Sequence, residues 1–230
     1  MTIPSEAPEN LKERLKASYD AIAPEYNAWA TPQSTKRMHY LEKALALLSQ
    51  SKSSGSPTFL ELGAGAGIPV TQKLLSYPGS KVFANDLSGA QLALARKNLL
   101  EGASGDEEER LTLMEGDMTK LSFPEGSIDT VLGFYSIIHL PREEQTGMIR
   151  QISGWLKPGG YLLANFSEKA AETVVEEKWL HEKGWMFWSG WGKEENCKIV
   201  QEAGLEIVVS EVTHDVVDDS FHWVIAKKKE

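Results

Sequence analysis

Thr58-Phe59-Leu60-Glu61-Leu62-Gly63-Ala64-Gly65-Ala66-Gly67 is the stretch on which the fold of this chain turns. An apolar run of strand character leads into three glycines at alternate positions, with the carboxylate of Glu61 at the strand's end. Glycines there let a ligand approach bare backbone. A dinucleotide loop reads Gly-x-Gly-x-x-Gly and offers a helix N-terminus to a pyrophosphate. Here the third glycine of that pattern is replaced by Ile68, and Gly67 comes one residue early. Glu61 also opposes a doubly charged pyrophosphate and suits a ligand bearing an ammonium and a sulfonium.

Outward from this loop, strands and helices alternate. Strands are predicted at 58–62, 81–85, 110–115, 128–134 and 160–166, with helices between them at about 69–77, 88–101 and 141–156. Ser88-Gly89-Ala90-Gln91 reads as a capping box, and Pro141 with Glu143 and Glu144 suits a helix start. This alternation specifies a parallel sheet covered on both faces. Upstream, Leu11, Leu15, Tyr19, Ile22 and Tyr26 form a helical stripe over 8–29, broken near Pro24, and a second helix is expected over 35–50. A Ser/Gly loop at 51–57 follows. Downstream, 169–191 is aromatic, polar and poorly periodic; then come a helix at about 193–203 and strands at 205–213 and 220–228. The short link Asp215–Asp219 makes the last two a hairpin, so at least one strand runs antiparallel.

The bulk numbers fit one compact unit: 230 residues, 41% hydrophobic and 25% charged. No apolar run approaches the roughly 20 residues that cross a bilayer, and the N-terminus, Met1 to Asn10, reads as neither signal nor transit peptide. The single cysteine, Cys197, leaves no internal disulfide or multi-cysteine metal site and points to a reducing, cytoplasmic setting. A net charge of -9 opposes a nucleic-acid partner. The acid run Asp106–Glu109 reads as a solvated loop.

With these pieces in order, the chain resembles the class I S-adenosylmethionine-dependent methyltransferases. The resemblance covers nearly all of 58–228 and rests on the glycine segment, Asn85-Asp86-Leu87-Ser88, Gly116-Asp117-Met118, the approach Phe123–Asp129, and Leu156-Lys157-Pro158-Gly159-Gly160. In detail it is closest to small-molecule enzymes related to the ubiquinone/menaquinone type. It implies an α/β, Rossmann-like, seven-stranded, mostly parallel sheet with a C-terminal antiparallel hairpin and helices on both faces. Residues 1–56 would form an N-terminal helical lid and 57–230 the methyltransferase domain, with a Trp-rich cap insertion at about 168–192, all one structural unit.

The resemblance also implies a site. S-adenosyl-L-methionine, leaving as S-adenosyl-L-homocysteine, would lie over Glu61, Gly63, Ala64, Gly65 and Gly67. Asp86 would accept its ribose hydroxyls and Asp117, beside Gly116, its adenine amino group. Leu87 and Met118 would sandwich the ring, with Gln91 in the same set and Phe134 by the methionine portion. Tyr19 and Tyr26 would close over the cofactor, and Tyr135 would reach the transferring methyl. His139, titrating near neutrality, is the best general-base candidate, and His181 a weaker one. Tyr26, His139, Asn165, His181, Trp185, Trp188 and Trp191 would face a small, aromatic or apolar methyl acceptor. Arg37 and His39 also point toward the substrate side. No metal is expected.

Plainer alternatives stand beside these roles. The glycines make a tight turn, Asp86 caps a helix, Met118, Tyr19 and Tyr26 fill a core, and His139 anchors the next helix. The tryptophans form the interior of a small cap. At the level of function, the alternatives are a cofactor-binding or regulatory protein of this fold and, less well matched, a nicotinamide oxidoreductase. The acceptor atom (oxygen, nitrogen, sulfur or carbon) and the oligomeric state are not legible.

Overall fold

The computed structural model describes residues 7–50, 55–102, 105–214 and 220–229. The first six residues, most of the Ser/Gly loop (51–54) and the 215–219 link lie outside the described residues. Five strands alternate with helices as the pattern predicts: β1 (Thr58–Leu62), β2 (Lys81–Asp86), β3 (Leu111–Glu115), β4 (Ile128–Gly133) and β5 (Leu156–Ser167). A two-stranded hairpin, β6 (Ala170–Glu177) and β7 (Trp185–Trp191), precedes the closing pair β8 (Leu205–His214) and β9 (Ser220–Lys228). The helices are α1 (Leu11–Ala30), α2 (Thr35–Gln50), α3 (Val70–Leu75), α4 (Gly89–Leu100), the single turn α5 (Glu107–Arg110), α6 (Arg142–Trp155) and α7 (Lys193–Glu202).

The main sheet has seven strands in the order β3-β2-β1-β4-β5-β9-β8. Pairs from β3 through β5 are parallel, and β9 is antiparallel to both of its neighbours. Both faces are covered, so alternate residues of one strand enter different cores. Phe59 packs with Tyr40, Leu41 and Leu45 of α2 and Leu74 of α3. Its neighbour Leu60 packs with Met148, Ile149 and Ile152 of α6. In β9, Trp223 belongs to the first core, stacked on Tyr40 at 4.4 Å and 10°, and Val224 to the second.

Strand order reverses between β1 and β4, where open sheets of this kind bind ligands at their carboxyl ends. Helix α1 lies over that end. It is held to the hairpin, where Trp185 N donates to Ser18 Oγ at 2.8 Å, and to α4, where Ser88 Oγ donates to Asp20 Oδ1 at 2.6 Å. Leu11, Leu15 and Ile22 share a third core with Trp185, Met186 and Phe187.

Three local expectations need correction. Helix α1 runs unbroken through Pro24, because tertiary contacts hold it on both sides of the proline: Ser18 and Asp20 before it, and after it Asn27, whose Nδ2 donates to Gln91 Oε1 of α4 at 2.8 Å. The acid run is not a loop throughout: Glu107–Arg110 make one helical turn from Asp106, whose Oδ1 takes the Arg110 Nε proton at 2.7 Å. The stretch 169–191 is largely a β-hairpin, with a register shift between Ala171 and Val174 that spoils its alternation.

Candidate functional site

The glycine turn is built for close packing on two sides and for open space between. A Cβ on Gly63 would collide with Ser136 Cβ, and one on Gly67 would meet Leu99 Cδ1 at 2.6 Å. Gly65, at φ +56, would meet only Gln91 Oε1 at 3.7 Å. Gly63 and Gly65 line a cavity at the strand ends with Asp86, Leu87, Gln91, Gly116, Asp117, Met118 and Phe134. Gly67 packs under α4 instead.

Asp86 ends β2 and organises this turn. Its Oδ2 accepts from Gly65 N at 2.8 Å and its Oδ1 from Ser88 N at 2.9 Å. Burial pushes its pKa up to about 6 against these two bonds. Ser88 caps α4 by accepting from Gln91 N at 3.1 Å. The Gln91 side chain does not complete the box; its Oε1 accepts from Asn27 of α1 at 2.8 Å, leaving a buried Nε2 without a partner. A Cβ on Gly116 would meet nothing within 4 Å. The orphaned Gln91 amide, the uncovered turns and the apolar flanks Leu87 and Met118 suit a polar, flat-ringed ligand such as a nucleoside.

Two acids depart from the roles expected of them. Glu61 is buried below the turn rather than on the cavity wall, accepts from Thr71 Oγ1 at 2.5 Å, and is pushed by burial up to about 8. Asp117 reaches the cavity but is already engaged: Oδ1 takes the Thr119 N–H at 2.9 Å and Oδ2 the Lys12 ammonium at 2.7 Å. Lys12, which also reaches Glu144 at 2.6 Å, holds the Asp117 carboxyl below its usual range although burial acts the other way. Ala64 is buried behind the turn and packs in the first core.

A second, larger cavity of about 490 Å³ adjoins the first, which measures about 80 Å³. Tyr19, Tyr26, Tyr135 and His139 belong to the walls of both. Tyr135 follows β4 at φ 53, a conformation uncommon outside glycine, and Asn165 of β5 supports it by accepting from Tyr135 N at 2.7 Å. His139 Nδ1 lies 2.7 Å from the Phe187 carbonyl, which can only accept, so Nδ1 carries the proton. The Nε2 lone pair then accepts from the Tyr19 hydroxyl at 3.0 Å. Burial lowers the His139 pKa to about 4, outweighing the Phe187 bond, and raises that of Tyr19 well above its usual value. Both side chains are neutral at pH 7.

That neutrality has a measurable consequence. An unfolded histidine binds a proton below about 6.5 and the folded His139 only below about 4. Its contribution to stability is therefore present above pH 6.5 and lost as pH falls toward 4, on the order of 3 kcal/mol in all. His222 acts in the same sense, and Glu61 and Asp86 in the opposite one, so the difference between wild type and His139→Gln isolates the effect. Urea unfolding at pH 7 and pH 5 should show the wild type losing more stability than the variant; equal losses would contradict the buried, neutral histidine.

The tryptophans divide. Trp188 lines the larger cavity, as do Trp179 at the hairpin tip and Trp29 of α1. Trp179 touches Tyr19, Tyr26, Trp29 and Trp188 at ring separations of 5.6–6.4 Å. Trp185 instead packs inward under Arg14, whose guanidinium lies 4.0 Å from its ring, and Trp191 donates its Nε1 proton to Arg142 O at 2.9 Å on the far side of the hairpin. Neither is on a wall of the two cavities, and neither is His181, which is exposed in the hairpin turn. Asn165 is fully buried and acts on the site through Tyr135. Among the described residues no group of His, Cys, Asp and Glu is arranged to hold a metal ion.

Trp29 and Lys12 are the residues the sequence did not single out. Both lie on α1, where the helical stripe gives no sign of what the polar face meets.

Residues 59–160 match the family model described as a methyltransferase domain. The tRNA N(3)-methylcytidine methyltransferase trm141 of Schizosaccharomyces pombe is 27% identical over 75% of this chain and 66% of its own length. The ubiquinone/menaquinone biosynthesis C-methyltransferase UbiE of Hahella chejuensis is 26% identical over 69% of this chain and 61% of its own. The chain thus spans about two thirds, or less, of the length of these relatives. The solved 1,6-didemethyltoxoflavin-N1-methyltransferase of Burkholderia thailandensis superposes with a TM-score of 0.73 at 18% identity, over 100% of this chain and 94% of that one. Over residues 59–160 the chain is thus similar to the methyltransferase domain family, and its fold is that of solved S-adenosylmethionine-dependent methyltransferases. No helix among the described residues is long and apolar enough to cross a membrane.

Proposed function

We propose that the chain is a cytoplasmic methyltransferase acting on a small, aromatic or apolar metabolite. The observation that carries this reading is the pair of cavities sharing the wall Tyr19, Tyr26, Tyr135 and His139. One has the polar groups of a nucleoside site, the other the aromatic lining of a small-molecule pocket. S-adenosylmethionine supplies a methyl group on a positively charged sulfur, which an acceptor atom takes by in-line displacement. The chain's residues would bind, orient and keep water out. Asp86, Gly65, Gln91, Leu87, Met118 and Phe134 would hold the cofactor. Residues 1–56 would act as the lid and 168–192 as the cap, with α1 contributing Lys12, Leu15, Tyr19 and Tyr26 to the wall of the smaller cavity.

Tyr19 and His139 are poised to accept a proton. A proton leaving the acceptor passes to the Tyr19 oxygen as the Tyr19 proton passes to His139 Nε2, or passes to Nε2 directly. A buried imidazole of pKa about 4 is too weak to ionise a phenol beforehand, which would cost about 1.4 kcal/mol for each unit of mismatch. It is strong enough for an oxygen acceptor whose acidity rises steeply as the methyl arrives. Proton removal is therefore late.

Net charge of -9 supports a small molecule over a nucleic acid, although one relative is a tRNA methyltransferase. Incubation with methyl-labelled cofactor, a panel of aromatic metabolites and total tRNA should put label in the small-molecule fraction. Label in tRNA alone would overturn the acceptor class. Asp86→Ala should weaken S-adenosylhomocysteine binding by about 1–3 kcal/mol through loss of charged-acceptor hydrogen bonds. In the wild type the ionised carboxylate is lost as pH falls through about 6, so affinity should fall there and stay flat in Asp86→Asn. Calorimetry across pH 5–8 checks both; unchanged affinity in Asp86→Ala would remove Asp86 from the site.

A further inference from the structure

The larger cavity has one cationic wall. Its charged lining residues are Arg37 of α2 and Glu176 of β6, and Glu176 is exposed at the surface. Arg37 is half-buried, with its Nε fully shielded from solvent and without a hydrogen-bond partner. Its Nη2 donates to Ala30 O at 3.2 Å, and its guanidinium sits 5.2 Å from the centre of the Tyr135 ring. Among the described residues no carboxylate lies within ion-pair distance of it. A guanidinium keeps its charge under any ordinary condition, and a shielded N–H with no acceptor is costly. The group that satisfies both is a planar anion, taken side-on by the guanidinium fork.

The rest of the wall says what carries that anion. Tyr26, Trp29, Trp179 and Trp188 offer flat apolar surface, and His139 and Tyr19 are neutral, so neither supplies a competing charge. The Arg37 charge also acts on Glu61 below the glycine turn, but Arg37 lines the larger cavity and not the smaller one, among the flat apolar groups that suit an acceptor.

We propose that the methyl acceptor is an aromatic molecule bearing a carboxylate or a similar planar acidic group, and that Arg37 selects it. This rests on the methyltransferase reading above and narrows its substrate class. Arg37 is a specificity residue: it reads the acid while the reacting atom lies toward Tyr19, Tyr135 and His139.

The test uses three probes of one shape, 2-naphthoate, 2-naphthamide and 2-naphthylmethylamine, titrated calorimetrically into protein saturated with S-adenosylhomocysteine. The wild type should bind the carboxylate at least about tenfold more tightly than the amide, and the amine most weakly, as a charged hydrogen-bonded pair requires. Arg37→Met should bring the carboxylate and amide within about threefold of each other with S-adenosylhomocysteine affinity unchanged, and Arg37→Lys should retain part of the preference. Circular dichroism of both variants establishes that they are folded. Equal binding of carboxylate and amide in the wild type, preference for the amine, or no binding of any probe would each overturn the proposal. So would an Arg37→Met variant that binds S-adenosylhomocysteine weakly and keeps the carboxylate preference, which would assign the guanidinium to the cofactor. Failure of S-adenosylhomocysteine itself to bind would instead strike the underlying methyltransferase reading.

Discussion

His139→Ala is expected to lower turnover by about 10²–10⁴-fold while leaving S-adenosylhomocysteine affinity within about threefold. The imidazole is held by its own backbone contact, Nδ1 to the Phe187 carbonyl at 2.7 Å, with Nε2 turned to the Tyr19 hydroxyl at 3.0 Å. That orientation fixes the tautomer and leaves a single lone pair for proton transfer. Apart from Phe134, the groups assigned to the cofactor stand on β2, on α4 and in the turns after β1, β2 and β3, so removing the imidazole should leave them intact. Tyr19→Phe separates the two proton routes. If the acceptor's proton passes through the tyrosine, this variant falls as far as His139→Ala; if it passes directly to Nε2, most activity remains. Single-turnover rates with saturating cofactor give the comparison. A loss of cofactor affinity equal to the loss of rate, or a fully active His139→Ala, would remove the base assignment.

Gly63→Ala is expected to destabilise the fold by about 3 kcal/mol or more. At φ +76 an alanine is strained, and its Cβ would collide with Ser136 Cβ. Ser136 is not free to retreat, because its hydroxyl donates to Leu62 O at 2.6 Å and it follows Tyr135, itself at φ 53. The strain should spread into the segment carrying Tyr135 and His139, so activity should fall with stability. Gly116→Ala serves as the control: its Cβ would meet nothing within 4 Å, which leaves backbone strain alone. Urea midpoints for the two variants check this, and a Gly63→Ala cost no larger than that of Gly116→Ala would dismiss the packing argument.

The parallel core was legible because its signals are local. Apolar runs ending in glycine or aspartate, with capped helices between, define β1 to β5 and the crossovers without reference to anything distant. The closing hairpin was legible for the same reason. The β6–β7 hairpin was not: its register shift hides the period of two, and its tip bends at Lys178 and Leu180, which take φ 60 and 59 without being glycines. Pro24 misled because the contacts that hold α1 on either side of it, at Ser18 and Asp20 and at Asn27, come from β7 and α4, remote in sequence.

In the site, the residue types were readable and the directions of their side chains were not. Asp86 ends its strand, Leu87 and Tyr135 come just after one, and Met118 and His139 belong to the short helical turns that follow β3 and β4, which brings all five to the cavities. Glu61 sits one residue earlier on its strand, and the alternation of β1 sends it inward to Thr71. Of the tryptophans in 179–191, pairing in β7 and the position of the turn bring only Trp179 and Trp188 to the cavity. Arg37 acquires its meaning from a missing partner, which no sequence pattern displays.

Every role assigned to the site depends on the cofactor, and calorimetric titration of the purified chain with S-adenosylhomocysteine tests it directly, with NAD as the comparison ligand. The expected result is saturable one-to-one binding of S-adenosylhomocysteine, weakened in Asp86→Ala, and no heat with NAD. A well-folded protein that gives no heat with S-adenosylhomocysteine, or that prefers NAD, would contradict it.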